Sequence, residues 1–369
     1  MRVAHVLNMA NDAWPLVKEM RRRGVEADLI IDEKDFGMGL PIWEEADVEG
    51  DPYSFDFKSA SKLWEPPPWV RVWSCKYMYS PNKVSNLFRM CRGYDLLHCH
   101  ATSSGYLQFS GTKYMVYEAG WIRKLVSESE DDNWVRLGRR AYKNAACITY
   151  TNPDTVNMVK SLNPRKLDFL PFAIDTDKYR PPKVRPNRDS LLFFHPTRQV
   201  WDVKGNDRLL RAFAKFIYAG GDAHLICVDW GWKEDVENAK RMLETLGVAS
   251  KVTWVPPMNK LRLIKTIGES DAVFDQFLIG GTGTLGLEAM ACERPLCIYM
   301  AHWTADAFGE EPPVVNASTE EQILSAMFKL SDGHYRDRIG GKGRKWVKRH
   351  CDPGKVVDRL LDIYEEAEI

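Results

Sequence analysis

The segment from Asp271 to Pro295, DAVFDQFLIGGTGTLGLEAMACERP, constrains this chain more than any other, because it sets a short apolar run before a glycine-dense loop and a helix. Ala272 to Phe274 read as the end of a strand, Gly280, Gly281, Gly283 and Gly286 permit tight backbone turns, and Leu285 to Cys292 carry a helical pattern. Backbone amides at such a helix start can hold a diphosphate, which makes Gly281, Thr282, Gly283, Thr284 and Leu285 the expected phosphate-side positions. Glu288 lies about one turn inside the helix, where its carboxylate can accept from both hydroxyls of a ribose. The alternative is a strand-loop-helix connection that binds nothing, since short glycine motifs recur by chance.

The surrounding pattern repeats the same kind of unit. Val3 to Leu7, the polar loop Asn8 to Asp12, a helical run Leu16 to Arg23 and Ala27 to Ile31 form a strand-loop-helix-strand module of parallel-sheet type. Leu96 to Cys99, Tyr114 to Tyr117, Cys147 to Tyr150 and Leu167 to Leu170 continue the first series of strands. A second series runs through Leu191 to His195, His224 to Val228, Val252 to Val255, Ala272 to Phe274 and Leu296 to Tyr299, with helices starting near Asp207, Lys233, Leu261 and Leu285. Between them Pro171 to Asp189 is rich in proline and charge and reads as a linker. A length of 369 residues suits two domains, expected over 1–178 and 185–343. Two doubly wound sheets of this kind place ligands beyond the carboxyl ends of their strands.

Residues 32–92 break the alternation. Their first half is acidic, and their second half is aromatic and basic, with Trp64, Trp69, Arg71, Trp73, Lys76, Tyr77, Tyr79, Lys83, Phe88, Arg89 and Arg92. Such a patch would suit sugar faces or an anionic membrane surface in peripheral contact. A loop and helix packed over the first sheet is the other reading.

Composition narrows the function. Lys plus Arg and Asp plus Glu number 51 each, so no overall basic field recruits nucleic acid, and no nucleic-acid module is recognisable. No apolar run approaches the length of a membrane span, and MRVAHVLNMANDAW lacks a leader-type apolar stretch, from which a cytoplasmic protein is expected. The eight cysteines show no CxxC spacing and read as structural thiols. No GxxxxGK[ST] occurs, no GxGxxG follows Leu7, and zinc or a nicotinamide cofactor has no support.

Just past the first strand of the second series, HPTRQVWDVKGNDRLLRAF carries Arg198 and Lys204, the latter before Gly205 and a helix. Two cations joined to helix-end amides are what a leaving diphosphate requires; either alone would read as a solvated surface charge.

On these residues the chain resembles the large retaining, metal-independent glycosyltransferase family of GT-B fold, glycosyltransferase group 1. The resemblance covers nearly the whole chain and is strongest from Leu167 to Tyr299. LDFLPFAIDTDKYRP resembles the family's interdomain signature, TRQVWDVKGNDRLL its Arg and Lys-Gly diphosphate element, LGVASKVTWVPPM its base-binding strand and loop, and GLEAMACERP the helix whose Glu holds the ribose. It implies an α/β fold of two Rossmann-like doubly wound domains facing a central cleft, with residues 344–369 crossing back onto the N-terminal, acceptor-side domain. It implies transfer of a sugar from a nucleoside diphosphate sugar, UDP- or GDP-linked, to a hydroxyl of a saccharide, lipid-linked or small-molecule acceptor, without metal or cofactor. Glu288 would hold the ribose, the base would be read near Val255, Pro256 and Met258, and Arg198, Lys204 and the amides from Gly281 to Thr284 would stabilise the leaving group.

The chain departs from the family pattern twice. Gly280 stands where the family carries a first Glu, eight positions before Glu288, so the loop GGTG resembles a glycine-rich subgroup in which amides and Thr282 or Thr284 replace that carboxylate. YMVYEAGWIRK has Ala119 where the family places an active-site His, preceded by Glu118. Glu118 becomes the candidate third catalytic group, with Asn11, Asp12, Trp121 and His100 as acceptor-side companions; a cap for the next helix is its other reading. His98 and His100 share one strand face and read as satisfied core or cleft-edge histidines. A nucleotide-sugar 2-epimerase of the same architecture and a non-catalytic nucleotide-sugar-binding subunit are the rival functions.

Overall fold

The computed structural model describes residues 1–74, 81–129, 132–184 and 188–367. The chain divides into two compact units, Met1–Ala173 with Pro353–Ile369, and Ile174–Asp352. Lys76, Tyr77 and Tyr79 of the aromatic-basic segment lie outside the described residues, as does the side chain of Lys83.

The first unit is a seven-stranded sheet built from β1 (Arg2–Val6), β2 (Glu26–Asp32), β3 (Val70–Trp73), β4 (Leu96–His100), β5 (Tyr114–Glu118), β6 (Ile148–Tyr150) and β7 (Leu167–Phe169), in the order β3-β2-β1-β4-β5-β6-β7. The second is a six-stranded sheet of β8 (Leu191–His195), β9 (Ala223–Val228), β10 (Val252–Val255), β11 (Ala272–Phe274), β12 (Leu296–Ile298) and β13 (Val315–Asn316), in the order β10-β9-β8-β11-β12-β13. Every pairing is parallel. Counted from its own first strand, the second sheet runs 3-2-1-4-5-6, the doubly wound Rossmann order, the first follows the same order with a seventh strand added, and both reverse direction between strands one and four.

Strands β3 and β13 carry no clear sequence signal. VRVW follows the proline-rich WEPPPW and sits at the sheet edge, and β13 is only two residues long. The segment 32–92 is thus partly regular, and its tryptophans pack inward: Trp69 stacks on Trp14 at 5.1 Å and Trp64 meets the same ring edge-on at 5.7 Å.

The helix Pro353–Glu366 buries Val356, Val357, Leu360, Ile363 and Tyr364 on one face, within the same core as Val3, Leu29, Leu96 and Met115. The residues from Arg344 onward do not form one crossing segment. Arg344 to His350 completes the helix Gly333–His350 of the second unit, and Pro353 opens a separate helix in the first. Proline supplies no amide to continue a helix but suits a helix start. The helix Thr284–Ala291, apolar on nearly all sides, is buried under Gly333–His350: a Cβ on Gly340 would lie 2.2 Å from the Glu293 carbonyl, so only glycine allows that approach.

Candidate functional site

In the second unit the loops after β8 and β11 meet at the switch point, where a parallel sheet presents ligands to its strand ends. Thr197 donates to Asp275 Oδ1 at 2.7 Å, and Lys204 Nζ donates to Gln276 Oε1. The Gln276 amide in turn donates to the Gly281 carbonyl. Lys204 is thereby tied to the glycine loop through one buried glutamine. Gln276 is a residue the sequence reading missed, because nothing local marks a pairing with Lys204 across so many positions.

The Arg198 loop is stitched from below. Asn206 accepts from the Val200 amide at 3.0 Å and donates to the Arg198 carbonyl at 3.0 Å and to His195 Nε2 at 2.8 Å. His195 Nδ1 donates to the Phe274 carbonyl at 2.8 Å, so the ring is the Nδ1–H tautomer. Burial pushes this imidazole down to about 4. Arg198 itself is exposed, with its guanidinium 5.4 Å from the centre of the Trp230 ring. The loop needs glycine twice: Gly205 has φ +67°, and a Cβ on Gly231, at φ +145°, would lie 2.2 Å from the Gln199 carbonyl.

Within the glycine loop the positions differ. Gly280 has φ +80°, and a Cβ there would lie 2.9 Å from both Ala301 Cβ and Trp303 Cζ2. The family's first Glu is therefore not merely replaced; this backbone cannot carry any side chain without moving its neighbours. Gly283, at the N-cap of Thr284–Ala291, faces open space, while Thr282 Oγ1 donates to the Gly283 carbonyl at 3.0 Å. Thr284 and Leu285 form the first turn and are half-buried.

Glu288 is 3% exposed and its Oε1 takes a 2.5 Å ion pair from Lys260 Nζ. Lys260 follows Asn259, whose side chain accepts from the Arg262 amide at 3.0 Å and starts the helix Lys260–Glu269. This partner was not legible either, since the two residues approach only through the fold. Val255 ends β10, its carbonyl accepting from the Asp229 amide at 2.7 Å; Pro256 is exposed and Met258 half-buried beside Thr266.

In the first unit most of the expected site residues are consumed by the fold. Glu118, at the end of β5, is fully buried and accepts from the Gly120 amide, from the Ile122 amide at 3.1 Å and from the Tyr142 hydroxyl. Burial raises its carboxyl, while these bonds and Arg123 oppose the shift. Both oxygens serve the start of helix Ile122–Ser127, so the capping reading replaces the catalytic one. Trp121 is 6% exposed and packs against Trp134 and Tyr142, and His100 is fully buried. Asn11 bonds Asn8 and, at 3.3 Å, Glu44. Asp12 and His100 do come together, at 3.0 Å.

Among the described residues, His5, His98 and His100 are the one cluster with metal-ligand proximity. Their ring nitrogens are all engaged with protein partners: His100 with Asp12 and His5, and His5 and His98 with Tyr364, His98 also with Thr149. The described cysteines are buried free thiols, and burial lifts Cys292, beside Glu288, to about 12, which removes it as a nucleophile. No described helix is long and apolar enough to cross a membrane.

The two parallel Rossmann-like sheets match the architecture of GT-B glycosyltransferase structures. Sucrose-phosphate synthase from Thermosynechococcus elongatus matches with a TM-score of 0.70 at 14% identity, covering 99% of each chain. Anabaena HepE, in complex with UDP-glucose, matches with a TM-score of 0.74 at 12% identity, over 99% of this chain and 100% of that one. At such identities the likeness is one of fold. By sequence, D-inositol 3-phosphate glycosyltransferase of Mycobacterium leprae is 24% identical over 190 residues, 48% of this chain and 40% of the relative. The enzyme of the same name from Segniliparus rotundus is 29% identical over 143 residues, 36% of this chain and 32% of the relative. The match thus spans less than half the length of these curated relatives. No family model matches the chain. The sequence relatives are glycosyltransferases, and the solved neighbours share the GT-B fold.

Proposed function

We propose that this protein moves a sugar from a nucleoside diphosphate sugar, UDP-linked, to a hydroxyl acceptor with retention of configuration and without metal or cofactor. The donor belongs to the second unit and the acceptor to the first. The observation that carries this reading is the Lys204–Gln276–Gly281 connection, which links a cation to the backbone of the glycine loop. A diphosphate laid on the amides from Gly281 to Thr284 would be neutralised by Lys204, with Arg198 as the second cation. Both would neutralise charge as the sugar–phosphate bond breaks, the point at which such groups lower a barrier. The acceptor hydroxyl attacks from the same face and passes its proton to the departing diphosphate oxygen, so the chain itself supplies positioning and charge. Glu288, oriented by Lys260, would accept from the ribose hydroxyls, and Val255, Pro256 and Met258 would border the base. Uridine is favoured because structural neighbours were solved with UDP and UDP-glucose.

The test is thermal stability with UDP, GDP, ADP and their glucose conjugates, with Arg198→Ala and Glu288→Ala as controls. At a hundredfold excess over its dissociation constant a ligand stabilises by about 2.7 kcal/mol. A uridine-selective rise that both substitutions abolish is expected; no rise with any nucleotide would sink the reading. Free UDP released only in the presence of an acceptor distinguishes transfer from epimerisation, and binding without any turnover would indicate a partner subunit.

A further inference from the structure

The first unit contains a run of buried polar groups that the transfer reading leaves unused. His5 on β1 is the register partner of His98 on β4, and His100 follows on the same strand face. The three rings are fully buried, with centroids 4.9, 5.2 and 5.3 Å apart. Tyr364, from the helix Pro353–Glu366, reaches between two of them: its hydroxyl is 2.9 Å from His98 Nδ1 and 3.3 Å from His5 Nε2. His5 Nδ1 lies 3.0 Å from His100 Nε2, His100 Nδ1 lies 3.0 Å from Asp12 Oδ1, and His98 Nε2 lies 3.3 Å from Thr149 Oγ1.

A proton count gives this chain a direction. A neutral imidazole has one N–H and one lone pair, so each ring must donate on one side and accept on the other. His100 donates through Nδ1 to the Asp12 carboxylate, and His100 Nε2 accepts from His5 Nδ1. His5 Nε2 then accepts from the Tyr364 hydroxyl, the tyrosine oxygen accepts from His98 Nδ1, and His98 Nε2 accepts the Thr149 proton in place of the Val116 carbonyl, which lies 3.4 Å from the same hydroxyl. Every bond points the same way, and all three histidines are Nδ1–H tautomers. Burial holds His5 and His98 well below the usual imidazole range, which keeps them neutral. A metal shared by these rings would have to break the His5–His100 bond.

The chain ends on a carboxylate with capacity to spare. Asp12 is 3% exposed, and its Oδ2 is buried without a hydrogen-bond partner; a desolvated carboxylate oxygen left in that state is costly. Asp12 stands at the switch point between β1 and β4, where parallel sheets meet ligands. The surroundings are negative: Asp35 is pushed up to about 6, first by burial and further by Asp32 and Asp12, with the Phe36 amide opposing. An anion is disfavoured there, and the free oxygen calls for a hydrogen-bond donor, which a hydroxyl supplies.

We propose that Thr149, His98, Tyr364, His5 and His100 form a one-way hydrogen-bond relay that holds Asp12 as a hydroxyl-accepting site for a polyhydroxylated ligand. Asp12 is the contact group, and the other five are positioning residues. Equating that ligand with the sugar acceptor rests on the function proposed above; the relay and the site do not.

Nitrogen-15 NMR of the full chain labelled at histidine, at pH 7.5, reads the tautomers directly. All three rings are expected to be protonated at Nδ1. Tyr364→Phe removes both the donor to His5 Nε2 and the acceptor of His98 Nδ1; His5 and His100, fixed from the Asp12 end, are expected to stay protonated at Nδ1, while His98 moves its proton to Nε2 and donates to Thr149. Nε2 protonation of His5 or His100 in the wild type, or a stoichiometric transition metal in the purified protein by elemental analysis, would overturn the relay. Titration with myo-inositol and glucose as polyol probes is expected to move the His100 Nδ1 proton resonance in the wild type and not in Asp12→Asn. No movement overturns the ligand site. UDP calorimetry on the same sample separates the two proposals, because UDP binding without a polyol response sinks the Asp12 site alone, and the converse sinks the donor reading alone.

Discussion

The two switch points share a topology and differ in what their side chains are left to do. Each is organised by an asparagine beside the first strand. Asn8 accepts from the Ala13 and Trp14 amides at 2.9 and 3.1 Å and donates to the Gly39 carbonyl, while Asn206 ties Val200, Arg198 and His195 together. Past that point they diverge. In the first unit the polar groups are turned inward, Glu118 onto a helix start and His100 onto a relay, and acidic Asp12 is the group with an oxygen to offer. In the second unit Lys204 is tied through Gln276 to the glycine loop, and Arg198 stands exposed over Trp230. One sheet order can thus carry an acceptor of hydrogen bonds in one copy and a cationic, amide-rich edge in the other.

The strongest way to break this contrast is to exchange the roles assigned to Arg198 and Glu118. Arg198→Ala is expected to lower the rate of transfer from UDP-glucose by about a hundredfold to a thousandfold, the scale for losing a group that stabilises developing charge. Glu118→Gln is expected to lower the melting temperature and leave the rate of the folded fraction within about threefold, since a cap costs about 1 kcal/mol of stability and no chemistry. A Glu118→Gln enzyme that melts normally but has lost its rate would reverse the assignment.

Next comes a contrast inside the glycine loop. Gly280→Ala introduces a Cβ at a left-handed position and 2.9 Å from two neighbours, and is expected to cost about 2–4 kcal/mol of stability. Gly283→Ala, which meets nothing within 4 Å, is expected to stay within about 1 kcal/mol. Urea melts of both variants check this; equal costs would mean that the loop is not held as described.

These pairs also show what the sequence could and could not reveal. The strand-loop-helix alternation made both sheets legible, because strands buried on two faces are continuous apolar runs and the glycines mark where the backbone turns. The edge strands β3 and β13 escaped because they are short and lack that run. The glycine loop, Arg198, Lys204 and Glu288 stood out as local patterns. Gln276, Lys260 and the Tyr364 relay did not, since each depends on a partner brought close only by the fold. Glu118 shows the reverse failure: a carboxylate at a strand end has the same local signature whether it caps a helix or meets a substrate, and only its three donors decide.

Acid sensitivity offers a smaller and more graded contrast. His195 has a folded value near 4 against an ordinary value of 6.5, so the unfolded chain binds the extra proton first as pH falls. Stability is therefore full above about pH 6.5 and declines toward pH 4, by about 2 kcal/mol at pH 5 for this one group, at about 1.4 kcal/mol per pH unit. His5 and His98 act in the same direction in the other unit. Melting curves from pH 7.5 to 4.5 should fall steadily. His195→Gln, which can still donate to Phe274 and accept from Asn206, should flatten the decline attributable to the second unit and leave that of the first. A flat wild-type profile would mean that these imidazoles are not held neutral.

The smallest effect concerns how each loop obtains its shape. After β8 the left-handed position is taken by Gly205, but after β1 the same task falls to Leu7, Ala10 and Asn11, at φ +68°, +49° and +65°. A side chain in that region costs about 1–2 kcal/mol, and glycine would return roughly 0.5–1 kcal/mol of that as unfolded-state entropy. Ala10→Gly is thus expected to stabilise the fold by about 0.5 kcal/mol, a small rise in melting temperature. Strain kept where glycine would relieve it is a mark of a loop shaped for contact rather than for stability. If Ala10→Gly raises the melting point and weakens the polyol response of His100, the strained backbone beside Asp12 serves its binding site; if it raises the melting point alone, the conformation is incidental and the carboxylate stands without it.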